Sequence, residues 1–129
     1  MEDFKMKILT PISVGELYDK ISILEIKLAN MDSPEKIVNV VNEYKQLREI
    51  AKKYPIDEDL YKQLRDINQK IWDIEDGIRV EERNKDYAED FVEFARGVYF
   101  TNDKRAAIKK DINLKYGSEI VEEKSYEKY

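Results

Sequence analysis

The segment "VGELYDKISILEIKLANM", residues 14–31, carries the apolar pattern that decides the fold. Its large apolar residues recur at alternating steps of three and four along the chain: Val14, Leu17, Ile21, Leu24, Leu28 and Met31. That period places them on one face of an α-helix that packs against other helices at a shallow angle. Just before it, Ser13 and Glu16 have the spacing of a capping box, which satisfies free backbone amides at a helix start. The sequence therefore predicts a helix A over residues 14–31.

A second stripe of the same period follows directly. Ser33 is a suitable N-cap, Pro34 occupies a first helical position that needs no amide, and Pro55 stops the pattern. The apolar positions between them are Ile37, Val40, Tyr44, Leu47, Ala51 and Tyr54. This predicts a helix B, and the short connection to helix A favours an antiparallel hairpin of the two.

A third stripe begins after Asp57, which can cap a helix. Its members are Leu60, Leu64, Ile67, Ile71, Ile74 and Ile78, and they predict a long helix C. The following "EERNKD", residues 81–86, indicates a helix end and a bend. A continuous helix through this segment is the alternative.

The C-terminal part of the chain predicts two shorter helices. Helix D carries apolar residues on one arc: Tyr87, Phe91, Phe94, Ala95, Val98 and Tyr99. Thr101 or Asn102 is expected to cap helix E, which ends at Tyr116. Gly117 then suits the left-handed residue that often follows a helix.

The expected fold is therefore all-α. It is a helical bundle built on the long antiparallel hairpin of A with B, completed by helix C and by the shorter helices D and E. We expect a single helical domain over residues 1–129, with an extended arm at residues 1–12 and an irregular tail at residues 118–129.

The composition excludes several kinds of chemistry. The chain of 129 residues has no Cys and no His, so thiolate metal sites, cysteine nucleophiles and Ser-His triads are not available. A net charge of −5 argues against a general affinity for nucleic acid or for anionic membranes. No segment has the apolar length of a membrane span or a signal peptide, and a cytoplasmic protein is the expectation.

A basic strip on helix E is the first candidate site. Arg105, Lys109, Asn113 and Tyr116 fall within about 80° on a helical wheel, next to the apolar stripe and close to Asn102 at the expected helix start. A guanidinium fork and an ammonium group in this arrangement suit a phosphate or a carboxylate. The alternative is that these cations only border an apolar face, or neutralise the acid-rich segment 73–93 across the bundle.

A polar strip on helix C is the second candidate. Arg79 lies on it, and Glu82 falls almost on the buried stripe, where a carboxylate needs a partner, a metal or solvent. The alternative for Glu82 is that the helix has reached the end of the bundle. Because both strips border stripes that face one core, we expect Arg79 and Glu82 to converge with Arg105 and Lys109 on a concave surface.

Acid pairs in the sequence also suggest a magnesium-dependent enzyme, because helical nucleotide pyrophosphohydrolases hold Mg²⁺ with acid pairs three residues apart. Glu16/Asp19, Asp73/Asp76 and Asp90/Glu93 have this spacing. With 28 acids in 129 residues, however, chance alone would give about six such pairs. We therefore expect no cofactor, and Mg²⁺ only if the enzyme alternative holds.

Four blocks resemble a family of small proteins known only as a domain of unknown function. The blocks are "TPISVGELYDKISILEIK" (10–27), "IWDIEDGIRVEE" (71–82), "FARGVYFTNDKRAAIKKDIN" (94–113) and "GSEIVEEKSY" (117–126). The resemblance implies an origin in bacteria or phages, where some members are joined to glycosyltransferase-like or repeat-containing chains. It implies no catalytic residue, and it hints at a sugar or nucleotide-sugar context.

Two functional hypotheses follow. In the first, the protein binds an anionic small molecule, such as a nucleotide or a nucleotide sugar, between helices C and E. In the second, it is a structural or partner-binding helical module with no small-molecule site. In both, the long apolar stripes favour a homodimer.

Overall fold

The computed structural model describes residues 5–129, which form four α-helices. These are α1 (Val14–Asn30), α2 (Pro34–Ala51), α3 (Glu58–Arg83) and α4 (Glu89–Lys115). No strand occurs among the described residues, and the predicted all-α bundle is confirmed. Residues 1–4 of the expected arm lie outside the described part, and residues 5–12 carry neither helix nor strand.

Helix α1 lies at the centre of the bundle, because it packs against each of the other three helices. The fully buried side chains around it are Ile21, Leu64 and Ile112, from α1, α3 and α4. The most extensive helix pair is α3 with α4, and not α1 with α2. The start of α1 nevertheless lies next to the end of α2, since the Tyr18 hydroxyl donates to the Tyr54 carbonyl at 2.7 Å.

The helix ends follow the capping chemistry of the sequence. The Ser13 hydroxyl accepts from the Glu16 amide at 3.0 Å, and the Asp57 carboxylate accepts from the Leu60 amide at 2.8 Å. Gly117 has φ = +64°, a left-handed conformation that favours glycine, and so ends α4 as predicted.

The prediction of two separate C-terminal helices was wrong, because α4 runs without interruption through Thr101 and Asn102. The Thr101 hydroxyl donates to the carbonyl of Gly97 at 2.6 Å, so it bonds to the preceding turn instead of capping the next one. The Asn102 side chain accepts from Arg105, one turn further along. Neither residue caps a helix.

The predicted bend after helix C is present. Helix α3 ends at Arg83, and Lys85 follows with a positive φ of 52°. Glu82 lies in the last turn of α3 and is exposed, as the interpretation of a helix that has reached the end of the bundle requires. Of the described helices, none is both long enough and apolar enough to cross a membrane.

Candidate functional site

Lys109 of α4 lies among three carboxylates. Its Nζ atom donates to Glu16 Oε2 at 2.6 Å and lies 3.8 Å from Asp19 Oδ2 and 3.6 Å from Glu122 Oε1. Only 15% of the Lys109 side chain is exposed. A cation this sheltered requires opposite charge nearby, and α1 together with the C-terminal segment supplies it.

A buried hydrogen-bond network continues from this cluster toward α3. The side-chain Nδ2 of Asn68 donates to Asp19 Oδ1 at 2.7 Å and to the Ser22 hydroxyl at 2.8 Å. All three side chains are buried, so their polar atoms depend on one another for hydrogen bonds. The network fixes the spacing between α1 and α3 at this level.

Arg105 has different partners from Lys109. Its guanidinium donates to Asn102 Oδ1 at 2.7 Å and to Asn68 Oδ1 at 3.3 Å. Both acceptors are neutral amides, and Arg105 forms no ion pair with any residue that the structure describes. Its positive charge is therefore oriented but not neutralised.

The side chains around Lys109, Asn68 and Arg105 form one polar cluster. It comprises Glu16, Asp19, Ser22, Asn68, Arg105, Lys109 and Glu122.

The start of α1 lies against the end of α4 at the edge of the polar cluster. The Gly15 amide donates to Asn113 Oδ1 at 2.6 Å, and the Val14 amide donates to the Ser118 hydroxyl at 3.2 Å. A Cβ atom on Gly15 would lie 2.6 Å from the Lys109 carbonyl oxygen, so only glycine permits this approach. The Ser13 hydroxyl donates to Glu122 at 3.0 Å, which brings the C-terminal segment to the same place.

The electrostatics of the Glu16–Lys109 pair follow from these distances. Burial raises the pKa of Glu16, but the hydrogen bond and charge of Lys109, helped by Lys20, outweigh it and lower that pKa. Burial likewise lowers the pKa of Lys109, and the hydrogen bond to Glu16 with the charges of Asp19 and Glu122 raises it overall. Both groups are therefore charged at neutral pH.

A cavity of about 280 Å³ opens beside Lys109, between α4 and the C-terminal segment. Its lining includes Lys110, Lys124 and Tyr126 as well as the carboxylates of Glu122 and Glu123. Three lysines, two carboxylates and one aromatic ring thus line this space, to which the polar cluster contributes Lys109 and Glu122 but not Arg105.

Four of the seven predicted site residues come together. Asn102, Arg105, Lys109 and Asn113 lie along one side of α4 at its contacts with α1 and α3. Tyr116 lies seven residues, about 10 Å, beyond Lys109 along the helix, where its hydroxyl accepts from the Asp57 amide at 2.6 Å.

The predicted convergence of Arg79 and Glu82 with this group was wrong. Arg79 is eleven residues, about 16 Å, beyond Asn68 along α3, and it pairs with Glu75 on an exposed surface. Glu82 lies further still. A helical wheel gives the angle of a side chain around its helix but not its height in the bundle.

The suggestion that the cations of helix E neutralise the acid-rich segment 73–93 was also wrong, because none of the ion pairs that the structure describes joins these two parts of the chain. Lys109 and Lys110 pair with the C-terminal segment, through Glu122 and Glu123, and Lys109 also with α1. Lys115 pairs with Asp57 at the start of α3.

Sequence reasoning missed the acidic partners of Lys109 and the role of Asn68. The sequence of α1 held one signal of a polar contact, because the polar residues Asp19 and Ser22 lie directly beside its apolar face. Glu16 was assigned to capping alone, whereas its carboxylate accepts from Lys109. The described residues contain no group of three or more acids arranged to hold a metal ion.

These features define a small all-α bundle protein with a buried polar network where three helices meet. Residues 6–129 match the model of a family described as "Family of unknown function (DUF6165)". The chain belongs to this family, which confirms the resemblance to an uncharacterised family and extends it over helix α2. Neither a curated protein nor a solved structure matches the chain.

Proposed function

We propose that this protein binds a small anionic ligand at the polar cluster, with Arg105 as the group that holds the anion. The observation that supports the proposal is the contrast between two neighbouring cations. Lys109 contacts three carboxylates, whereas Arg105 contacts two amide oxygens and no carboxylate among the described residues. Arg105 is thus a partly sheltered cation with a free charge.

The amide partners suit Arg105 to this role. Asn68 and Asn102 hold the guanidinium in one orientation, so little side-chain freedom remains to be lost when an anion binds. A guanidinium has five N–H donors, and the two amide bonds leave the others for a bidentate contact with a phosphate or a carboxylate. Lysine could not offer such a fork.

The neighbouring cavity favours an anion attached to a larger group. Its volume of about 280 Å³ is close to the lower end for small-molecule pockets, which begin at about 300 Å³. Tyr126 on its wall offers a ring for stacking, and Lys110 and Lys124 add positive charge. A nucleotide or a nucleotide sugar has this combination of a phosphate and a ring.

The test is a titration of nucleotides, nucleotide sugars and sugar phosphates by thermal shift and calorimetry. A ligand that binds only the folded protein raises Tm with the logarithm of its concentration above Kd. We expect Arg105→Gln to abolish the shift. The matched control is Arg79→Gln, which removes the same charge from an exposed arginine about 16 Å beyond Asn68 along α3 and should leave binding intact. The proposal is contradicted if no compound in the panel raises the Tm of the native protein by more than it raises the Tm of the Arg105→Gln variant.

A second candidate, a partner-binding module that forms a homodimer, is favoured by the outer half of the α3–α4 pair. From residue 69 to residue 100 no side chain is fully buried, although the segment includes Trp72, Ile74 and Phe94. Two helices alone cannot enclose such residues, and a second copy would cover them. Light scattering at micromolar concentration tests this, and a mass of 15.4 kDa would contradict it.

Two finer expectations belong with these proposals. We infer a cytoplasmic location, which fractionation of the native host tests, and the resemblance to the family is what implies an origin in bacteria or phages. Repeating the ligand titration with Mg²⁺ and analysing the products tests the pyrophosphohydrolase alternative.

A further inference from the structure

The C-terminal segment, residues 118–129, folds back along α4 and reaches the polar cluster. Near its start the Glu122 carboxylate accepts from the Ser13 hydroxyl and faces Lys109. Glu123 pairs with Lys110, and at the far end the Tyr129 hydroxyl donates to Asp103 at 2.5 Å. The segment therefore covers the side of α4 that also borders the cavity.

Lys109 has three carboxylates around its Nζ atom, and Glu122 is the one that does not belong to α1. The polar cluster as a whole holds two cations, Arg105 and Lys109, and three carboxylates, from Glu16, Asp19 and Glu122. When Glu122 leaves Lys109, the charges that remain are two positive and two negative, and an external anion can take the place of the third carboxylate.

The three carboxylates are not held equally. Asp19 and Glu16 belong to α1, with 9% and 24% of their side chains exposed. Glu122 lies on a segment without helix or strand and is 51% exposed. The other ion pair of the segment, Glu123 with Lys110, is more exposed still, at 72% and 46%. Exposed ion pairs contribute little to stability, so the carboxylates of Glu122 and Glu123 are held less firmly than those of Glu16 and Asp19.

We propose that the Glu122 carboxylate substitutes for the ligand's anionic group in the free protein, and that the ligand displaces this carboxylate from Lys109 when it binds. This inference rests on the proposed function. The carboxylate of Glu122 and a phosphate oxygen compete for the Ser13 hydroxyl and the Lys109 ammonium group, which lies one turn along α4 from Arg105, so an anion held by Arg105 can reach Lys109 as well. Binding thus exchanges an internal anion for an external one and leaves Glu16 and Asp19 in place.

The experiment compares Glu122→Gln with Glu123→Gln, using inorganic phosphate as the probe in calorimetry. Both variants lose one negative charge from the same segment, but only Glu122 contacts Lys109. We expect Glu122→Gln to bind phosphate about three- to tenfold more tightly than the native protein, the effect of removing one or two exposed contacts. Glu123→Gln should change the affinity less than about twofold.

A second measurement follows the segment itself. Because the chain has no Cys, a variant with the exposed Glu119→Cys carries a single spin label close to Glu122, whose mobility should rise as phosphate is added. Equal phosphate affinity in all three proteins, with a label of unchanged mobility, overturns the displacement and leaves the proposed function standing. If neither the native protein nor Glu122→Gln binds phosphate, nucleotides or sugar phosphates, the proposed function fails, and the displacement fails with it.

Discussion

The Nζ atom of Lys109 donates a 2.6 Å hydrogen bond to Oε2 of Glu16, although the two residues lie 93 positions apart in the sequence. This pair joins the first turn of α1 to the C-terminal half of α4. Both side chains are largely sheltered from water, which weakens the screening of their charges. The bond is therefore both a structural link and the electrostatic centre of the polar cluster.

Replacing Lys109 should destabilise the protein strongly. In Lys109→Met, Glu16 and Asp19 remain charged and partly buried without their cation, at a cost of about 2–4 kcal/mol in the free energy of unfolding. Urea denaturation measures this. Lys110→Met removes the adjacent exposed lysine and should change stability by less than about 0.5 kcal/mol. Similar values for the two variants would contradict the assigned role of Lys109.

The contribution of Glu16 should depend on pH. Because its pKa is lowered in the folded protein, the ionised carboxylate stabilises the fold above its ordinary pKa of 4.5. That stability is lost as the pH falls through the lowered pKa. The gap in unfolding free energy between the native protein and Glu16→Gln should thus be widest near neutral pH and close in acid.

The difference in unfolding free energy between the two proteins can be followed by urea denaturation from about pH 3 to about pH 8, because this range spans both the ordinary pKa of 4.5 and neutral pH. Glu43→Gln, on the exposed surface of α2, serves as the control and should show little gap at any pH. A gap for Glu16→Gln that stays constant into acid would show that its carboxylate contributes no linked stability.

Gly15 should tolerate no side chain. In Gly15→Ala the new Cβ meets the backbone oxygen of Lys109 at 2.6 Å, and backbone cannot rotate away, so α1 must shift from α4. Overpacking of this kind costs about 1–3 kcal/mol. In Gly97→Ala the nearest atom is the flexible end of Ile74 at 3.0 Å, and the gain in helix propensity, about 0.5–1 kcal/mol, offsets it. Thermal denaturation should rank Gly15→Ala well below Gly97→Ala.

Asn68 should matter more than its uncharged side chain suggests. Asn68→Leu removes hydrogen bonds from Asp19, Ser22 and Arg105 at once, and buried groups left unpaired cost about 1–3 kcal/mol each. Gln63→Leu, on the exposed surface of the same helix, provides the comparison. We expect denaturation to show a loss of at least about 2 kcal/mol for Asn68→Leu alone, and ligand affinity to fall with it because Arg105 loses its orientation.

The sequence predicted the helices well because helix formation is a local property. The stripes from Val14 to Ile78 repeat every three to four residues, and the caps at Ser13, Asp57 and Gly117 act within one turn. The break placed at Thr101 failed for an equally local reason. A threonine hydroxyl can accept from a backbone amide as an N-cap, or it can donate to a carbonyl in the preceding turn of its own helix. Which of the two occurs depends on whether the preceding residues are helical, and at Thr101 they are.

The site was harder to predict because it depends on height along the bundle. Arg105, Lys109 and Asn113 were found from their shared angle on one helix. The partners of Lys109 come from α1 and from a segment without regular structure, and no short-range pattern identifies such partners. Arg79 has a suitable angle on α3 but lies about 16 Å too far along it.

The contact between Ser13 and Glu122, 109 positions apart, also sets an order of assembly. Helices α3 and α4 are neighbours in the sequence, so they can pair early at a small cost in loop entropy. The polar cluster closes only after α1 has docked on that pair and the C-terminal segment has returned to α1. We therefore expect its bonds to be absent from the folding transition state, so that substitutions in the cluster accelerate unfolding while leaving the folding rate nearly unchanged.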